Sequence, residues 1–162
     1  MKIMKFMMCF VATVTMLTVA SCDKDDDKAV TEATANTLVI NGKLYQLNSG
    51  FGMDENGRGY ADAATTELDG NGDPKLTVIA DVEVQTYNDT YSFPLPGSSF
   101  FFSIHDANND YVCGLPAFTT GTLTITKTET LFEYKVDGQT LDGQNVSFWI
   151  SVPASEWSSP WK

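Results

Sequence analysis

Two short segments of the chain carry residue types that bind hard cations. Both have the form Asp-x-Asn-x-Asp: Asp69, Asn71 and Asp73 in the first, and Asp106, Asn108 and Asp110 in the second. Calcium takes six to eight oxygen ligands, which carboxylates and amide carbonyls supply. Neither segment is an EF-hand, because Ala80 and Ala117 stand where that loop places its bidentate glutamate. Aspartate and asparagine also favour turns for local reasons, so calcium binding and simple turns are both open interpretations.

Histidine chemistry is nearly absent from the sequence. His105 is the only histidine, so a Ser-His-Asp site would have to use it, with Asp106 or Asp110 as an orienting carboxylate very close in sequence. A zinc site would combine His105 with Cys113 and would still need two further ligands. Cys113 lies beside apolar residues, which favours a buried thiol over a nucleophile.

A pair of acidic residues offers the remaining route to catalysis. Asp81 and Glu83 are two residues apart and therefore lie on one face of a predicted strand. Glycoside hydrolases generally place their two carboxyl groups on opposite walls of a cleft, which this spacing does not provide. We therefore predict a non-enzymatic protein without a required cofactor, with a small carboxylate-based hydrolase as an alternative.

Trp149 is the aromatic residue best placed to bind a ligand. In the segment 146–152 every second residue is apolar, so Trp149 lies on the polar face between two serines. An exposed tryptophan on a sheet can stack on a sugar ring or on an apolar group of a partner. Trp157 and Trp161, in the C-terminal tail, either extend this platform or pack over an open end of the sheet.

Strand patterns cover most of the chain after residue 36. Asn41-Gly42 separates two apolar runs, the strongest short-range signal of a β-hairpin. Strict alternation over residues 75–85 predicts a half-buried strand. Further strands are predicted at 60–68, 100–105, 111–115, 122–127, 131–136 and 146–152, with turns at Asp137-Gly138 and Asp142-Gly143 and a glycine-rich loop around Phe51 and Met53.

These strands predict an all-β domain and no sizeable amphipathic helix. Seven to nine short strands with regular turn signals favour an antiparallel β-sandwich, and a small closed, lipocalin-like β-barrel is the alternative. We place the β domain at residues 37–153 and a C-terminal tail at 154–162.

The N-terminus has the anatomy of an export signal. Two lysines precede an apolar run of about 15 residues, too short to span a bilayer as a helix, and small residues then lead directly to Cys22. This arrangement resembles a bacterial lipobox, which implies cleavage after residue 21 and acyl chains, including palmitate, on Cys22. Several acyl chains give stable membrane attachment, because each buried CH₂ contributes about 0.8 kcal/mol.

The segment that follows, residues 22–36, is predicted to be a solvated acidic tether. Its acidic block resembles the export signal that surface lipoproteins of the Bacteroidota carry after the lipidated cysteine, here Asp23, Asp25, Asp26 and Asp27. The mature chain would hold 8 basic and 21 acidic residues, a net charge of −13, which argues against binding nucleic acid. With Cys22 acylated, Cys113 would be its only free thiol.

The strand and turn signatures together resemble the small surface lipoproteins of the Bacteroidota. The residues that carry this resemblance are Asn41-Gly42-Lys43, Gly121-x-Leu123, Tyr134-x-Val136 and Asp142-Gly143. The resemblance implies an antiparallel β domain lipid-anchored in the outer membrane and facing the exterior, with a periplasm-facing anchor as the alternative. It brings no catalytic residue. The predicted function is a binding domain for a glycan or an envelope protein, with a structural envelope component as the alternative.

Overall fold

The computed structural model of the chain describes residues 30–95 and 100–158. In those residues the regular structure is almost entirely β, with three short 3-10 turns and no α-helix. The ten strands are β1 (Thr37–Ile40), β2 (Lys43–Met53), β3 (Gly59–Thr65), β4 (Leu76–Val82), β5 (Asp89–Ser92), β6 (Phe100–Asp106), β7 (Tyr111–Gly114), β8 (Phe118–Lys127), β9 (Leu131–Thr140) and β10 (Asn145–Pro153).

All ten strands belong to one antiparallel sheet in the order β5-β8-β9-β10-β1-β2-β3-β4-β6-β7. The sheet curls into a half-barrel. Strand β2 carries the bend, because its first residues pair with β1 whereas residues 47–53 pair with β3. The predicted all-β, antiparallel fold is confirmed. Strands β5, β8, β9, β10 and β1 form one half of the sheet, and β3, β4, β6 and β7 form the other. The two halves pack face to face as in a β-sandwich, but β2 belongs to both, as a strand of a β-barrel does.

Aromatic side chains fill the space between the two halves. Phe102 of β6 is fully buried and packs edge-to-face on Phe118 of β8 and Phe148 of β10, with ring centroids 5.2 and 5.3 Å apart. Phe51 of β2 stacks on Phe132 of β9 at 3.7 Å. Such rings bury large apolar areas, so this core stabilises the curl and occupies the interior.

The alternating sequence patterns correctly predicted which side chains face this core. Val78, Ala80 and Val82 of β4 are buried, whereas Ile79 between them is 46% exposed. In β10 the even-numbered residues 146–152 are buried as expected. The predicted hairpin is also present: Asn41 and Gly42 have φ of 49° and 83°, the two positive values that a type I′ turn requires.

Three local predictions were wrong. Asp137-Gly138 is not a turn, because β9 continues through it to Thr140. The glycine-rich segment around Phe51 and Met53 is the second half of β2, and Phe51 is a core residue. Strand β5 was missed because it is only four residues long and has no buried side chain.

The end of the predicted tether belongs to the domain. Ala33 is buried, and its N–H donates to Ser147 Oγ at 3.0 Å. Residues 30–36, here called the N-terminal arm, lie over the outer face of β1 and β10, where they cover Val39 and Ser147. The last residues of the segment predicted as a tether, residues 22–36, therefore pack on the β domain.

The beginning of the C-terminal tail is also docked. The backbone N–H of Ser158 donates to the Phe51 carbonyl at 2.9 Å, beside the end of β2. Cys22, the acidic block that follows it and Trp161 lie outside the described residues, so the predictions made for them remain predictions.

Candidate functional site

The two Asp-x-Asn-x-Asp segments form the β3–β4 and β6–β7 loops with one shared geometry. Asp69 Oδ1 accepts the backbone N–H groups of Asn71 and Asp73 at 2.8 and 3.0 Å. Asp106 Oδ1 accepts those of Asn108 and Asp110, both at 2.9 Å. These bonds hold the pKa of Asp69 below its ordinary value, with the backbone N–H of Asp73 the largest cause.

A third loop repeats this geometry. Asp54 Oδ1 accepts the N–H groups of Asn56 and Arg58, each at 2.9 Å. In all three loops the fourth residue has positive φ, at Gly57, Gly72 and Asn109. The repeated Asp therefore has a turn-forming role wherever it occurs. Among the described residues, no group of three or more His, Cys, Asp or Glu side chains is placed to hold a metal ion.

Trp149 lies on the outer face of the sheet, as its alternation predicted. Its indole N–H donates to Glu133 Oε1 at 3.1 Å, and Lys135 Nζ lies 5.2 Å from the ring centroid. The indole is half-buried by these neighbours on β9. A sugar stacking on Trp149 would have to share the ring with this ammonium group.

Trp157 has a different environment. Its ring packs on Phe51 with centroids 5.3 Å apart, and its N–H donates to the Val152 carbonyl at 3.0 Å. It therefore packs over the end of the sheet, against the core, and does not share a platform with Trp149. This arrangement matches the second of the two interpretations left open for the tail.

The other candidate groups are spread over the sheet. His105 Nε2 lies 2.9 Å from Ser103 Oγ on the outer face of β6. Asp81 binds Arg58, with Nε–Oδ1 at 2.6 Å, rather than forming a pair with Glu83. Cys113 is 3% exposed, and burial raises the pKa of its thiol to about 11.

A concavity with a partly polar lining lies on the outer face, and no local motif in the sequence predicted it. Here called the amide cleft, it has a volume of about 600 Å³ and lies between the N-terminal arm, the β1–β2 turn, β8, β9 and β10. Its lining comprises Val30, Thr31, Val39, Asn41, Gly42, Thr120, Gly121, Asp137, Gly138, Gln139 and Asn145. This volume is in the range of small-molecule sites.

Three amide side chains form a chain along one wall of the amide cleft. Asn41 Oδ1 accepts the Asn145 backbone N–H at 2.9 Å, and Gln139 Nε2 donates to Asn145 Oδ1 at 3.3 Å. These contacts orient the amides and leave the Nδ2 groups of Asn41 and Asn145 and Oε1 of Gln139 without a partner in the described residues. The wall therefore presents two amide donors and one amide acceptor on exposed side chains.

Close contact between two glycines shapes the floor of the cleft. A Cβ on Gly121 would lie 2.1 Å from the Asp137 carbonyl oxygen, and one on Gly138 would lie 2.4 Å from the Thr120 carbonyl oxygen. Strands β8 and β9 shift register beside this contact. Val39 also borders the cleft but is only 2% exposed, because the N-terminal arm covers it.

Asp137 is the one charged side chain that lines the amide cleft. The wider surface is acidic, because the described residues include 17 Asp and Glu residues and only five Lys and Arg residues. The cleft is therefore unfavourable for anions and compatible with a neutral polar ligand.

No helix in residues 30–95 and 100–158 is long and apolar enough to cross a membrane. Comparisons of the chain with protein-family models, with curated proteins and with solved structures found no significant match. The functional argument consequently rests on the geometry of the site.

Proposed function

We propose that this protein is a non-enzymatic binding domain whose ligand is a neutral, polyhydroxylated molecule such as a glycan. The observation that supports this proposal is the amide cleft, in which amide side chains lie beside a floor shaped by Gly121 and Gly138. Hydroxyl groups both donate and accept hydrogen bonds, so they match the free Nδ2 groups of Asn41 and Asn145 and the free Oε1 of Gln139. The hydrogen bonds of Asn41 Oδ1 and Gln139 Nε2 supply part of the side-chain ordering before a ligand binds.

We further propose that the domain is carried by a lipid anchor on Cys22 in the outer membrane and faces the cell exterior. The lipobox-like sequence and the acidic block after it support this location. Metabolic labelling with a palmitate analogue should label the wild-type chain and not Cys22→Ser. Protease treatment of intact cells should remove the domain, whereas protection of the domain would support a periplasm-facing anchor.

Binding can be tested with neutral oligosaccharides. The full chain in detergent would be screened on a glycan array, and each positive sugar would be titrated by calorimetry. Gln139→Ala removes an acceptor from the cleft, and we expect it to weaken binding about tenfold, as for a lost hydrogen bond that leaves a buried partner unpaired. Gln46→Ala is the matched control, because Gln46 is exposed on β2 away from the cleft.

The same titration distinguishes the amide cleft from the Trp149 platform. Loss of binding in Trp149→Ala together with full binding in Gln139→Ala would move the site to the tryptophan. The absence of binding to any neutral sugar on the array would contradict the glycan proposal and favour an envelope protein as the partner or a structural role.

A further inference from the structure

A second concave surface lies at the last strand of the sheet. Strand β7 pairs with β6 on one edge, and in the described residues no strand pairs with its other edge. An unpaired strand edge offers backbone N–H and C=O groups to an incoming chain. Strand β5, at the other end of the sheet, also has an edge that is unpaired within the described residues, but the concavity beside it is lined mostly by polar residues, whereas the one beside β7 is mostly apolar.

A groove of about 510 Å³ runs along β7, between this strand and the β9–β10 turn. It is lined by Tyr111, Val112, Cys113, Ala117, Leu141 and Asp142. We call it the β7 groove. Apart from Asp142, its lining side chains are apolar or aromatic, so it can accept apolar side chains of an extended segment.

The rim of the β7 groove exposes large apolar side chains. Leu141 is 84% exposed and Tyr111 is 56% exposed. The backbone N–H of Leu141 donates to the Ala117 carbonyl at 2.7 Å, so the turn that presents this leucine is fixed. Two such side chains on either side of a groove suit a protein interaction more than solvent.

The acidic side chains around the β7 groove favour a partner with basic residues. Asp142 lines it, and Asp110 immediately precedes Tyr111. Hydrogen bonds from Thr140 and Gln144 hold the pKa of Asp142 below its ordinary value, so it stays ionised at neutral pH. The basic side chains of the described residues are all engaged elsewhere, and none lines the groove.

We infer that the β7 groove binds an extended polypeptide segment with alternating basic and apolar residues, which adds to the edge of β7 as an eleventh strand. Backbone hydrogen bonds to β7 would supply affinity, and pockets for alternate side chains would supply selectivity. The apolar residues would lie between Tyr111 and Leu141, and the basic residues would face Asp142. This site is separate from the amide cleft and does not depend on it.

A synthetic peptide tests this inference directly. We would measure fluorescence anisotropy of a labelled peptide of alternating lysine and valine with the full chain in detergent. We expect saturable binding that weakens as salt rises, and about tenfold weaker binding to Leu141→Ser, as expected for one lost leucine contact. Leu44→Ser is the matched control, because Leu44 is exposed on β2.

Peptide controls separate strand addition from non-specific attraction. The same peptide with glutamate in place of lysine should not bind. Two further peptides carry N-methyl groups on alternate residues, one on each edge, and one of them should lose binding because it cannot pair with β7. Equal binding of both methylated peptides, or unchanged binding to Leu141→Ser, would overturn the inference. The peptide result does not depend on the amide cleft, so a failure to bind glycans in the earlier test would not change it.

Discussion

The side-chain amide of Asn36 takes the place of a strand beside Ser151. Asn36 Nδ2 donates to the Ser151 carbonyl at 3.0 Å, and Asn36 Oδ1 accepts the Ser151 backbone N–H at 2.9 Å. Strand β1 pairs with β10 only as far as Trp149, so the amide continues the ladder by one further step. The N-terminal arm is held to the sheet by this contact.

Replacement of Asn36 should therefore destabilise the domain. Asn36→Ala removes two hydrogen bonds, and we expect the free energy of unfolding to fall by about 1–3 kcal/mol. Asn36 has a φ of 56°, which strains alanine but not glycine. Asn36→Gly therefore measures the loss of the amide without added backbone strain. Asn56→Ala is the control, since the Asn56 side chain makes no hydrogen bond in the described residues. Equal urea midpoints for Asn36→Gly and wild type would contradict the role assigned to the amide.

The contact between Gly121 and Gly138 predicts a strong effect of small substitutions. Gly121→Ala places a methyl group against the Asp137 carbonyl at a φ of 114°, and we expect a loss of more than about 2 kcal/mol in unfolding free energy. Gly143→Ala also sits at positive φ but meets no atom within 4 Å, so it should cost only about 1 kcal/mol. Thermal or urea unfolding of the two variants measures the difference. Similar losses would show that the close contact is not tight in solution.

The lowered pKa of Asp69 predicts a loss of stability in acid. A folded-state pKa below the unfolded value of about 3.9 stabilises the protein above that value, and this contribution disappears as pH falls through the folded pKa. Asp69→Asn cannot titrate, so its melting temperature should fall less steeply than that of wild type below about pH 4. Asp73→Asn is the control, because the Asp73 side chain makes no hydrogen bond to any other described residue. Identical acid profiles for wild type and Asp69→Asn would contradict this assignment.

The buried thiol of Cys113 should be unreactive in the native protein. Its pKa is raised to about 11 by burial and by the charge of Asp142, so little thiolate is present at neutral pH. We expect a maleimide-type reagent to label wild type and Cys113→Ser equally when folded, and wild type more strongly after unfolding in urea. Extra labelling of the folded wild type would show that the β7 groove opens to the thiol.

Calcium provides a direct test of the two Asp-x-Asn-x-Asp loops. Since backbone N–H groups already occupy Asp69 Oδ1 and Asp106 Oδ1, we expect the same melting temperature in excess calcium and in EDTA. Any ligand that binds the folded state alone would raise it. A melting temperature that rises in calcium for wild type but not for Asp69→Asn or Asp106→Asn would show that calcium binds at that loop.

Sequence patterns were most informative where the signal was periodic. Alternation identified the core side chains of β4 and β10, and Asn41-Gly42 identified a hairpin, because both depend on neighbouring residues only. The turn predicted at Asp137-Gly138 was wrong because it also relied on neighbouring residues only. Gly138 is instead required by its close contact with Gly121 on the next strand, which the sequence does not show.

The candidate sites were harder to predict. The amide cleft combines residues from five separate segments, 30–31, 39–42, 120–121, 137–139 and 145, and no two of the segments form a recognisable motif. Docking of the N-terminal arm depends on Ala33 and Asn36, which have no apolar period around them. Both residues are held by hydrogen bonds to β10, and their partners there, Ser147 and Ser151, lie more than 100 positions further along the chain.

The docked arm also constrains how the domain would stand on a membrane. Val30 and Thr31 lie beside the β1–β2 turn, at one rim of the half-barrel. If Cys22 is acylated as proposed, fewer than ten residues separate the bilayer from that rim. The arm would thus hold the rim that carries the amide cleft within about 30 Å of the lipid surface, because each residue of the chain spans at most about 3.5 Å.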